Sequence, residues 1–168
     1  NVYFGETPSK VEGGFTVTAS GGLAAGDTFS IRTSVPLFES NKSTIGVSFS
    51  STHDNCNGVG KSDTNGTLFT FQFSNEECTV SNGAALSFSI TNEIRQNSNV
   101  GNVFFAVKTS VDYAFTDNIV GYNVVNRPLG SPSMDINDYH TDDNATLMTF
   151  KATTTATGAL TENDDITI

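Results

Sequence analysis

The residues in this chain whose types could do chemistry are two histidines, two cysteines and eighteen carboxylates. His53-Asp54-Asn55-Cys56 is the densest mixed set, and it suggests either a metal site or a Cys–His nucleophile. A structural zinc needs four Cys or His ligands at short spacing. The remaining histidine, His140, is far along the chain. A nucleophilic pair needs a free thiol. Cys56 and Cys78 are the only cysteines, and an even pair in so Ser/Thr/Asn-rich a chain reads as one disulfide. Two buried free thiols are the alternative. Gly-x-Ser-x-Gly, a phosphate loop and a dinucleotide fingerprint are all missing. Paired carboxylates for glycoside hydrolysis depend on three-dimensional spacing, but most acids sit in polar stretches, where solvated charge is the simpler reading. The sequence predicts no enzyme and no cofactor.

Calcium is the one cofactor with candidate ligands, because it takes clustered hard oxygens. Asp135, Asn137 and Asp138 lie close to Asp142, Asp143 and Asn144, and Glu162-Asn163-Asp164-Asp165 forms a second cluster. Neither follows the EF-hand loop, with its Gly at position 6 and Glu at position 12. The plainer reading is an acidic surface that keeps the chain soluble and blunts sheet edges. Asn41, Asn65 and Asn144 each open an N-glycosylation sequon in a polar stretch, although sequons also arise by chance in such a composition. The Thr153–Thr155 run with Thr157 is a candidate for O-glycosylation or a β-prone segment.

The elements that would carry these residues are strands. Phe15, Val17 and Ala19 alternate with polar residues, as do Phe29 and Ile31, and Ile45, Val47 and Phe49. Phe69, Phe71 and Phe73 follow the same rule, then Leu86, Phe88 and Ile90, then Val103, Phe105 and Val107. Period two is the mark of a half-buried strand. Residues 119–125 and 147–152 repeat it less cleanly. Gly21-Gly22, Gly26-Asp27, Asn57-Gly58, Asn65-Gly66 and Asn82-Gly83 supply turns. No helical stripe appears beyond a short turn near residues 93–97. Eight or more short strands predict an all-β antiparallel sandwich of immunoglobulin-like type, with most of the 13 Phe in its core.

Domain organisation follows. Residues 1–10 form an N-terminal extension whose Val2-Tyr3-Phe4 is either an edge strand of its own domain or a strand given to a neighbour. Residues 11–168 form a single domain, interrupted by a long acidic loop at 126–143. Loops of that length inside domains are usually functional or mobile.

Composition narrows the partners. Ser, Thr and Asn make up 58 of 168 residues, and the net charge is −10. That sign argues against nucleic acid and anionic membranes. No apolar run reaches the roughly 20 residues of a membrane helix. The start at Asn1 reads as a mature product whose leader has been removed, and with the disulfide it places the chain outside the cell.

Gly26-Asp27-Thr28-Phe29-Ser30-Ile31 runs towards Val35-Pro36-Leu37-Phe38, and Thr67–Phe71, Cys78-Thr79-Val80 and Leu86–Ile90 follow. This stretch, about residues 22–92, resembles the first immunoglobulin-like domain of fungal agglutinin-like adhesins and related Gram-positive surface modules. The closing Glu162–Ile168 is similar to an acidic turn and strand late in that domain. The resemblance implies a sandwich with an adhesive role. Those adhesins hold peptides between two domains and use a buried lysine; this chain has length for one domain, and that lysine has no counterpart in it.

Two functions are expected. The first is a non-catalytic subunit of an extracellular filament or fibre, self-assembled as a homopolymer by head-to-tail strand addition through Val2, Tyr3 and Phe4. The second is an adhesin domain binding a peptide or glycan, with Tyr113, Tyr122 and Tyr139 as contacts. A carbohydrate-binding module is a weaker third, because no Trp is present as a stacking platform.

Overall fold

A computed structural model of the chain describes residues 2–18, 20–112, 114–125, 130–136 and 148–153. Its elements are almost entirely strands: β1 (Val2–Tyr3), β2 (Val11–Thr16), β3 (Thr28–Thr33), β4 (Val47–Phe49), β5 (Gly58–Ser62), β6 (Leu68–Phe73), β7 (Ala85–Ile90), β8 (Gly101–Thr109), β9 (Ile119–Val125), β10 (Gly130–Ile136) and β11 (Met148–Thr153). The one helical piece among the described residues is a 3₁₀ turn at Ser51–His53, not at residues 93–97.

Two main sheets form the body. One has six strands in the order β1-β9-β8-β3-β6-β5; the other has three, β2-β7-β4. β10 and β11 make a separate antiparallel hairpin, so the segment read as one acidic loop contains a strand. All pairs are antiparallel except β1–β9, where Val2 and Tyr3 lie parallel to Val124 and Val125.

Alternation explains the core. β6 buries Phe69, Phe71 and Phe73 and turns Thr70 and Gln72 outward. β7 buries Leu86, Phe88 and Ile90 in the same way. Phe29 of β3 is fully buried at the centre. Its ring centroid lies 5.1 Å from Phe88, 5.6 Å from Phe15 and 6.4 Å from Phe49, all on the three-stranded sheet. It also lies 5.4 Å from Phe71 of its own sheet. These separations fit the favourable range for aromatic pairs, and each buried ring contributes about 1.5–3 kcal/mol. The two sheets are thus held together by one aromatic cluster.

The turns use the expected residues. Gly66 has φ +71 in the β5–β6 turn, and a Cβ there would meet the Phe38 carbonyl oxygen at 2.0 Å. Only glycine fits that position. Asp63 fastens the same turn by accepting the amides of Thr67 and Leu68 at 2.8 and 3.1 Å. Cys56 and Cys78 form the disulfide, 22 residues apart, behind the β5–β6 hairpin.

Candidate functional site

The three-stranded sheet ends at β2, whose outer edge has no strand partner among the described residues. Beside this edge, between β2 and the inner face of β8 and β9, runs a mostly apolar groove of about 320 Å³. Val11, Ile31, Phe88, Phe105 and Val107 line it, with Ile119 and Tyr122 on the far wall and Val2 also in the lining. Its volume is at the low end for ligand sites. Lys10 and Glu12 pair at 2.8 Å on the rim, where an exposed ion pair is worth little.

Glycine shapes both walls. A Cβ on Gly13 would sit 2.8 Å from the Phe88 ring, and one on Gly121 would sit 2.0 Å from the Phe105 ring. Each ring takes the space that a side chain at that glycine would fill. A glycine inside a strand marks a place where another backbone can approach closely. An open strand edge and an apolar floor together suit an extended peptide. The edge offers main-chain hydrogen bonds, and the floor accepts alternate side chains.

The N-terminal segment borders this groove. Beyond the two β1 pairs, the Phe4 amide donates to the Val125 carbonyl at 3.0 Å and the Gly5 amide to the Asn97 carbonyl at 2.9 Å. Asn97 is the centre of the arrangement and is only 6% exposed. Its backbone and side-chain amides both donate to the Glu6 carbonyl, at 2.9 and 2.8 Å. Its Oδ1 accepts the Tyr122 hydroxyl at 3.0 Å. The Gln96 side-chain amide donates to the Gly5 carbonyl. Burial of Tyr122 pushes its phenol above the usual range. Phe4 itself stays 49% exposed.

The other expected site residues are scattered. Val2, Tyr3 and Phe4 lie at the edge of their own six-stranded sheet. His53 faces Thr52, its ring Nδ1 3.1 Å from that hydroxyl. The neighbouring Cys56 is bonded to Cys78, so neither a thiolate nucleophile nor a thiolate ligand remains there. Asn41 and Asn65 are both exposed in turns, as a glycan acceptor must be. Asp135 falls on β10, paired with Thr149. Asn137, Asp138, Asp142, Asp143, Asn144 and residues 162–165 lie outside the described residues, as do Tyr113, Tyr139 and His140. Among the described residues no three His, Cys, Asp or Glu side chains gather as a metal site. Of the tyrosine contacts, Tyr122 is in the groove.

Asn97 has no sequence signal, since one Asn among 17 carries no mark of its contacts. Gly13-Gly14 interrupting a strand pattern is a readable one. Compared with protein-family models, with curated proteins and with solved structures, the chain matches none of them.

Proposed function

We propose that this protein is a non-catalytic extracellular subunit that assembles by β-strand addition, the groove beside β2 receiving the N-terminal segment of the next copy. The observation that carries this is an apolar groove next to a six-residue strand whose outer edge has no partner among the described residues. Val2 and Phe4, or Tyr3, would be the anchors. The donor lies at the edge of its own sheet, where β1 contributes two paired residues and Phe4 is half exposed. A head-to-tail contact of this kind does not close on itself, so it propagates as a filament.

The immunoglobulin-like reading is supported by strand order. β2-β7-β4 and β3-β8-β9 match the order of the central strands of such sandwiches. The run β4, β5, β6 departs from it, because β4 leaves for the other sheet before β6 returns to pair with β3. Among the described residues no strand flanks the outer edge of β2, where the full pattern has one. The disulfide, and the lack among the described residues of a helix able to cross a membrane, are compatible with secretion.

Electron microscopy of the native material tests the proposal. Filaments with a repeat near one domain length are expected, and deletion of residues 1–8 should leave folded, dispersed subunits. Ile119→Asp, at a groove residue 57% exposed, should block assembly without unfolding the chain. Dispersed wild-type monomers, or polymer that survives the deletion, would overturn it. An adhesin would instead show monomers that capture a peptide or glycan.

A further inference from the structure

The outer face of the six-stranded sheet has an electrostatic character opposite to that of the whole chain. Its strands carry Arg32, Lys61 and Lys108 and not one Asp or Glu. These are three of only eight Lys and Arg in a chain of net charge −10. Register places them on one face. Lys61 pairs with Thr70, Thr70 with Ser30 and Ser30 with Lys108, while Arg32 is two residues further along β3. Three strand spacings put Lys61 and Lys108 about 14 Å apart, and Arg32 is about 7 Å from Ser30.

Two of the three cations are also held in place. The Arg32 Cζ lies 4.5 Å from the centroid of the Phe115 ring and the Lys108 Nζ 4.9 Å from it. Two like charges converging on one ring repel each other, although the ring's negative face offsets part of this. The ion pairs among the described residues are Lys10–Glu12 and Lys42–Glu93, so none of these three cations has a carboxylate partner among the described residues. Between them lie the Thr70 hydroxyl, bonded at 2.9 Å to that of buried Ser30, and the exposed Gln72 amide.

We infer that this face binds an anionic polysaccharide whose carboxylate or sulfate groups recur along an extended chain. A row of cations on one face, two of them held against Phe115, fits a polymer with spaced charges. The net negative charge elsewhere is screened over about 8 Å at physiological salt, so the local face governs contact. This surface is distinct from the groove and does not depend on strand addition.

The test is isothermal titration of the full chain with polygalacturonate, dextran sulfate and neutral dextran, at 50 and 500 mM NaCl. Binding to at least one anionic polymer and not to dextran is expected, weakening at high salt. The two anionic arms separate uronate from sulfate recognition. R32Q/K61Q/K108Q should bind ~10-fold more weakly or worse with unchanged thermal unfolding, as loss of a complementary charge patch requires. K151Q, on β11, should bind as wild type. Absence of binding to both anionic polymers, or undiminished binding by the triple variant, would overturn the inference. So would a triple variant that changes only self-association in sedimentation, which would assign the face to a second copy.

Discussion

Asn97→Ala should free the N-terminal strand while leaving the body folded. The side chain makes two hydrogen bonds, donating to Glu6 and accepting from Tyr122. At a net value of about 1 kcal/mol each, their loss weakens docking by about 2 kcal/mol. The attachments that remain include the two β1 pairs, the main-chain bonds of Phe4, Gly5 and Asn97, and the Gln96 side-chain bond to Gly5. Those bonds oppose an ordering entropy of roughly 1–2 kcal/mol per residue, so the segment opens locally before the body unfolds. A 2 kcal/mol loss then raises the open population about 30-fold, because 1.4 kcal/mol is tenfold. Native-state amide exchange reads this directly at Phe4 and Gly5, whose amides donate to Val125 and Asn97. Their exchange should accelerate by about 30-fold, while amides in β3 and β6 keep the protection set by global unfolding. Acceleration below about 3-fold at Phe4 and Gly5 would show that Asn97 is not what holds the segment. A matching loss of protection in β3 would show that its role is in the core. If the segment is the strand given to the next copy, the same variant should also assemble faster.

Two further outcomes follow from the described contacts. Replacing both Cys56 and Cys78 by Ala removes a cross-link spanning 22 residues. The chain-entropy relation gives on the order of 3.4 kcal/mol for this loop, which in a chain of this size lowers Tm by roughly 7–14 °C; a loss below about 1 kcal/mol in urea unfolding would contradict it. Tyr122 gives a pH signature, since burial raises its phenol above the ordinary value of about 10. The unfolded chain then releases that proton first, so stability is intact below about pH 10 and falls as pH rises towards the folded value. Tyr122→Phe should flatten this part of the urea-midpoint profile, and an unchanged slope would refute the assignment.

How much was legible depended on whether a feature lay within one strand. β3, β6 and β7 could be read from Phe29–Ile31, Phe69–Phe73 and Leu86–Ile90, because one face of each is buried and the other solvated. β5 could not, since Gly58-Val59-Gly60-Lys61-Ser62 has no apolar alternation. Its glycines are required by close approach, with a Cβ on Gly60 meeting the Ile45 carbonyl at 2.6 Å. β10 was hidden in the same way by its Pro and Ser residues, within the stretch read as a loop. The disulfide was readable from two cysteines and composition. The groove was not, because it is made by strand order and by missing side chains. The Val2–Val124 pairing joins residues 122 positions apart, beyond any local pattern.

The sheet edges bear on the proposed strand acceptance at β2, whose outer edge has no strand partner among the described residues. Exposed edges invite pairing with other chains and are normally blunted by short length, charge or proline. β1 has two residues and β4 three, so both are short. β5 carries Lys61 within a glycine-rich run. β2 is six residues long and is guarded only at its start, by Pro8, Lys10 and Glu12. Its second half, Gly13-Gly14-Phe15-Thr16, has no charge and no proline, and the groove lies against its glycines. A monomer gains nothing from leaving that half unguarded, since a single lysine on its solvent face would protect it. An edge protected everywhere except beside an apolar groove is what strand acceptance requires, because the guarded start sets register and the bare half makes the new ladder.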